Sequence, residues 1–254
     1  MLTILGPAKT IDMSPHAVTG KHTLPAYLKE SRKLVEELRK LSPAAFRSLM
    51  KVSDKLAVLN VERIAAWTEQ HPPGSSNQAL LSFSGEVFNG LEARTLDAED
   101  LDFAQDRVRI LSGLYGVLRP LDLIMPYRLE MQTKLANSRG RNLYEFWQEI
   151  IPQEISRQTA ETEGQILVNL ASNEYFSSIQ PKKFPHRIIT PVFKEQHGNS
   201  FRNVTIYAKK ARGMMLRFII QKRITDPEHL KAFDMDGYWF NADQSGNNEW
   251  WFTR

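Results

Sequence analysis

No cysteine occurs anywhere in the 254 residues. Disulfides, thiolate catalysis, thiol redox sensing and every cysteine-based metal site are therefore excluded. Histidine is sparse, with six residues at 16, 22, 71, 186, 197 and 229. No two of them have the i,i+4 spacing of a helical zinc site, so no protein-built metal centre and no cofactor are expected. Long apolar runs are missing as well, and no window reaches the ~18 consecutive apolar residues of a membrane helix. The opening MLTILGPAKTID has no basic segment ahead of a long apolar one and does not read as a secretion signal. A cytoplasmic protein without membrane contact is the expectation. Known nucleotide and hydrolase signatures are absent too: no Gly-rich Walker run, no G-x-G-x-x-G after the first strand, no G-x-S-x-G elbow.

What is present belongs to a folded chain, with 42% hydrophobic and 24% charged residues. The net charge of +4 is modest but unevenly spread. Between 182 and 223, eleven Lys or Arg face one acid, Glu195; between 92 and 106, six acids face only Arg94. Such polarity steers a polyanion, unless the two segments meet and cancel.

LTIL (2–5) reads as a buried strand followed by a loop through 26, and 27–41 has helical apolar spacing. Ser42-Pro43 opens a helical stretch that runs through 43–70, and HPPGSSN (71–77) is a turn cluster. ALLSFSGEVF (79–88) reads as a strand entering a loop, 99–106 as a short acidic helix and 142–155 as a helix. QILVNLAS (165–172) is a buried strand closed by the helix-starting Ser172-Asn173. RIITPVF (187–193) and FRNVTIYA (201–208) are expected to pair antiparallel around the turn at 197–199. A strong helix comes next at 211–224, and the last eighteen residues, GYWFNADQSGNNEWWFTR, form a hairpin whose Trp239, Trp250 and Trp251 are expected in the core. The sum is a mixed α/β (α+β) fold, a single domain over 1–254 with a mixed sheet enclosed by helices.

Charged residues recur just past the expected strand ends: Lys9 in GPAKT, Glu86 after ALLSFSG, Glu174 after LVNLASN. In open α/β sheets ligands bind in the crevice beyond those ends. With Arg128 from PYRLE they would make a polar pocket, Lys9 acting as nucleophile or electrostatic stabiliser and Glu86 or Glu174 as general base. Lys209, Lys210 and Arg212 stand near the start of the basic helix, where cations oppose the macrodipole unless an anion sits nearby.

The stretch RILSGLYGVLRP (109–120) resembles the Leu-x-Gly-apolar-Gly core of a helix-hairpin-helix DNA-binding element, whose glycine turn lets backbone phosphates approach. Gly113, Leu114, Tyr115 and Gly116 would hold phosphate, with Arg119 in reach. Two residues separate the glycines where that motif usually has one.

GPAKTID, SDKLA (53–57), SGLYGVLRPLDLIMPYRLEM (112–131), NLASNEYF (169–176), PKK (181–183) and YAKKARGMMLRFII (207–220) occur in this order. Together they resemble the bacterial YaaA family of peroxide-stress proteins over the whole chain. Gly6 departs from the serine more usual there. The resemblance implies a cytoplasmic protein that helps cells survive hydrogen peroxide by lowering free intracellular iron. It also implies DNA binding through a helix-hairpin-helix element and a basic cleft.

The leading expectation is a structure-preferring, sequence-tolerant DNA-binding protein, leaning away from an enzyme. The 113–116 turn and Arg119 hold phosphates, and Lys182, Lys183, Lys209, Lys210, Arg212 and Arg217 line the cleft. The alternative is an enzyme acting on a nucleotide or another phosphorylated small molecule at Lys9, Glu86, Arg128 and Glu174. A compact pocket favours the enzyme; an open groove as wide as a duplex favours DNA.

Overall fold

The computed structural model describes residues 1–16, 18–198 and 200–254. Its centre is a mixed sheet. In spatial order the strands are Trp239–Asn241, Glu249–Thr253, Arg187–His197, Ile166–Asn169, Leu2–Leu5, Val108–Ser112 and Gly116–Leu118, with Ser200–Arg202 added beside Arg187–His197. The strands from Glu249–Thr253 to Val108–Ser112 run parallel, and antiparallel partners close both ends. Leu2–Leu5 and Val108–Ser112 are buried at every residue. Such continuous apolar runs are what a sheet covered by helices on both faces requires. Leu2–Leu5 lies centrally, with Thr3 opposite both Val108 and Val168.

The helix-start signals act as expected. Ser42 caps the Pro43–Met50 helix through Ala45 N–H, and Ser172 precedes the short Asn173–Phe176 helix. Asp97 caps Ala98–Arg107 with a reciprocal capping box to Asp100.

Elsewhere tertiary structure overrides the local pattern. The 43–70 stretch is two helices, Pro43–Met50 and Asp54–Ala66, broken where Lys51 turns left-handed at φ 50° and Ser53 caps the second helix. ALLSFSGEVF is not a strand entering a loop: Ala79–Ser82 forms a helical turn, Phe83–Ser84 a two-residue strand, and Glu86–Leu91 a helix. The 201–208 strand is shortened to Ser200–Arg202, because the basic helix starts early and spans Thr205–Gln221. Its partner strand is antiparallel as expected; Asn199 of the connecting turn lies outside the described residues. In the last hairpin Trp250 is core, whereas Trp239 is 62% exposed.

The helix-hairpin-helix-like element expected at 109–120 is a β-hairpin, Val108–Ser112 paired with Gly116–Leu118. Its β-branched and aromatic residues prefer a pleated, buried surface to a helix, and the core covers them. Leu114 and Tyr115 are fully buried.

Thr205–Gln221 packs on Glu86–Leu91 at backbone contact. A Cβ on Gly213 would lie 1.8 Å from the Val87 carbonyl oxygen, and one on Gly90 2.1 Å from that of Lys210. Both positions must be glycine for the two helices to come this close.

Candidate functional site

A cavity of about 620 Å³ opens beyond the C-terminal ends of Leu2–Leu5 and Ile166–Asn169. Five separate stretches reach it, each by a local device. The segment after the first strand turns through Gly6-Pro7 and pairs Thr10 with Ser84, which ties Lys9 to the loop before Glu86. Ile166–Asn169 runs beside the first strand and delivers Ser172 to Tyr175. The β-hairpin seats Tyr127 to Glu130, because Gly113 packs on the Leu129 backbone and Ser112 Oγ bonds the Tyr127 hydroxyl at 2.6 Å. The glycine contact between the two helices holds Lys209 and Arg212 against the Glu86 side.

Lys9 Nζ lies 3.0 Å from Glu130 Oε1, and Arg128 Nη2 lies 3.2 Å from the same oxygen. Arg128 Nε is buried and has no hydrogen-bond partner among the described residues. Glu174 Oε1 accepts from the Gln132 amide at 3.2 Å. Burial pushes the Glu174 carboxyl above the usual carboxylate range, and the neighbouring Glu130 adds to the rise; Lys9 and the Gln132 amide oppose it. Burial likewise raises Tyr127 and Tyr175, keeping both phenols neutral.

Arg212 differs from the other cations. Among the described residues it makes no salt bridge and no side-chain hydrogen bond, and burial alone pulls its pKa down. An arginine stays protonated nonetheless, so the cavity holds a half-buried guanidinium without a counter-charge among the described residues. Lys209, exposed at the rim, adds a second positive group. One part of the wall is therefore positively charged. Another offers a shared carboxylate at Glu130, a carboxyl biased toward its neutral form at Glu174, and phenols.

Lys9, Glu86, Arg128, Glu174, Lys209 and Arg212 all line this cavity. The other expected phosphate ligands do not. Gly113 and Gly116 face the Leu129 backbone and the Trp147 ring, and the Leu114 and Tyr115 amides bond Ser112 Oγ, so the hairpin has no outward amides to offer. Arg119 pairs with Asp106 and the Gln105 carbonyl. Arg217 is taken up by Thr95 and the Leu91 and Glu92 carbonyls. With the Arg223–Asp100 ion pair, this shows that the basic and acidic segments partly meet and cancel. Lys182, Lys183 and Lys210 are exposed, outside the cavity.

Sequence reading missed Glu130, Tyr127, Tyr175 and Asn203. Glu130 was within reach, since in extended backbone a residue two past Arg128 shares its face. Nothing local marks Asn203. Among the described residues no group of three His, Asp or Glu is placed to hold a metal ion, and no helix is long and apolar enough to cross a membrane. The model of one protein family, described as peroxide stress protein YaaA, matches residues 1–244.

Proposed function

The chain belongs to the peroxide stress protein YaaA family, and from that premise we propose that its contribution to peroxide resistance is made in the cavity, as an enzyme acting on a phosphorylated, nucleotide-like small molecule. The observation that carries this reading is the unpaired Arg212 guanidinium opening into the same space as Glu174, Glu130 and Lys9. A half-buried cation without a partner gains a charge-assisted hydrogen bond once an anion arrives. The phosphate sits at Arg212 and Lys209, leaving Glu174 to give or take a proton at the other end of the ligand. Lys9, ion-paired with Glu130, acts as an electrostatic stabiliser rather than a nucleophile.

The test is a thermal-shift series with inorganic phosphate, nucleosides and mononucleotides, since a ligand that binds only the folded state raises its apparent stability. Mononucleotides should raise Tm more than nucleosides do, and Arg212→Ala should remove the difference. Equal responses in both proteins defeat the reading.

DNA binding is the second reading, and residues 43–66 rather than 109–120 support it. There two helices meet at the left-handed Lys51, with Lys51, Ser53 and Lys55 exposed. Short turns of this kind present the amides of a helix start to backbone phosphates without reading bases. Lys182, Lys183 and Lys210 add exposed positive charge. Binding should fall with salt at a log–log slope of about −0.9 per phosphate neutralised; a salt-independent affinity contradicts it.

A further inference from the structure

Tyr115 and Tyr127 pack edge to face beside the β-hairpin, with ring centroids 5.3 Å apart. Their hydroxyls differ in what they have left to give. The Tyr115 oxygen accepts from Trp67 Nε1 at 2.9 Å and from the Met125 amide at 3.1 Å. It also lies 3.0 Å from His71 Nε2, while His71 Nδ1 lies 3.1 Å from the Glu69 carbonyl. A ring proton on Nδ1 serves that carbonyl and leaves Nε2 to accept from Tyr115. Every valence of the Tyr115 hydroxyl is used inside the core.

Tyr127 keeps one in reserve. Its hydroxyl has a single partner among the described residues, Ser112 Oγ at 2.6 Å. Ser112 Oγ already accepts from the Leu114 amide at 3.2 Å and the Tyr115 amide at 2.9 Å. A serine oxygen has two lone pairs and one proton, so with both lone pairs taken its proton goes to Tyr127. Tyr127 Oη is the acceptor in that bond, and its own proton has no acceptor among the described residues. Burial pushes the phenol pKa up and keeps the proton in place. Tyr127 is 4% exposed and lines the cavity. A buried donor left unmade is costly, and a ligand acceptor removes the cost. The hairpin amides thus act at one remove: they orient a serine, which orients a phenol.

The phosphate is assigned to Arg212 and Lys209. In the stretch that carries Tyr127, Glu130 engages both Lys9 and Arg128, and its carboxylate repels a second anion. An uncharged acceptor suits Tyr127 better than a second anion.

We propose that Tyr127 determines specificity, its O–H donating to an oxo group on the base of the bound nucleotide. This rests on the nucleotide reading of the cavity and narrows its substrate class to oxo bases. An amino group at the same position sets donor against donor, because the Ser112 proton already occupies the acceptor side of Oη.

The experiment titrates the full chain calorimetrically with two series of 5′-monophosphates. Inosine, 6-thioinosine and adenosine form the purine series; uridine, 4-thiouridine and cytidine form the pyrimidine series. Sulfur is the weaker acceptor, so each thio compound impairs the acceptor while keeping the ring N–H. The oxo compound should bind about tenfold or more tightly than its thio and amino partners in at least one series. Tyr127→Phe should bring the three to within about threefold of one another, with a melting curve to show that it is folded. Should it not fold, the oxo-against-thio comparison in the native chain decides by itself. Equal affinities or an amino preference in the native chain overturn the inference, as does an oxo preference that survives Tyr127→Phe. Mononucleotides that bind whatever their base leave the nucleotide reading standing without this inference; if none binds, both fall.

Discussion

Gly113 and Leu129 touch backbone to backbone: a Cβ on Gly113 would stand 2.2 Å from the Leu129 carbonyl oxygen. The glycine opens no path to a phosphate. It allows the chain carrying Arg128 and Glu130 to lie against the hairpin, and so sets one wall of the cavity. Gly113→Ala must force the two segments apart, at about 1–3 kcal/mol or more. A lower urea midpoint, with weakened mononucleotide binding in the protein that remains folded, is the expected result.

Glu130 is the shared acceptor of Lys9 and Arg128. Glu130→Gln keeps the shape and removes the charge, leaving Arg128, 18% exposed in its side chain, without a counter-ion. A loss of roughly 1–3 kcal/mol is expected, nearly all of it from Arg128. Lys9 is 65% exposed and contributes little, because solvent screens it. Lys9→Ala should therefore leave stability almost unchanged, which equilibrium unfolding of the two variants side by side will check.

Arg212→Ala should separate stability from binding. Removing a half-buried cation that has no partner among the described residues leaves the stability of the empty protein nearly unchanged. Anion affinity should fall roughly tenfold to a hundredfold, the size of a lost charge-assisted hydrogen bond. Titration calorimetry with a mononucleotide and a melting curve without it give the two readings.

Glu174 sets a pH dependence. Its carboxyl titrates higher in the folded chain than in the unfolded one. Between those two values the folded state binds more protons, so stability contributed at this site falls as pH rises through the window. Glu174→Gln removes that loss and keeps an oxygen to accept from the Gln132 amide. Its Tm should exceed that of the native protein above the window and converge with it below. Nucleotide binding that uses the protonated carboxyl should weaken over the same rise in pH in the native protein alone.

Much of the fold and of the cavity is legible in the sequence. Strands 2–5 and 166–169 announce themselves as short apolar runs bounded by turn residues, and the segments after them are polar. Lys9, Glu86 and Glu174 could thus be placed at strand ends and expected to converge with Arg128, as they do. The hairpin defeats a local reading because a Gly-rich turn looks alike whether it serves a phosphate or a neighbouring backbone. The difference lies in Leu129, a contact that local spacing does not encode. The helical turn at Ala79–Ser82 is hidden for a related reason: its residues are buried on every side and give no period to read. Arg119 and Arg217 look like free cations in sequence, and only the fold reveals the acids and carbonyls that occupy them.

The cavity draws on residues 6–10, 84–88, 127–130, 170–175 and 203–212. During synthesis the carboxylate side therefore emerges well before Lys209 and Arg212. A growing chain stopped short of the basic helix has Lys9, Glu130 and Glu174 but nothing to seize an anion, and no Gly213 to set the distance. Competence should switch on late and all at once, making ligand capture a signature of a finished molecule that no stalled fragment can counterfeit.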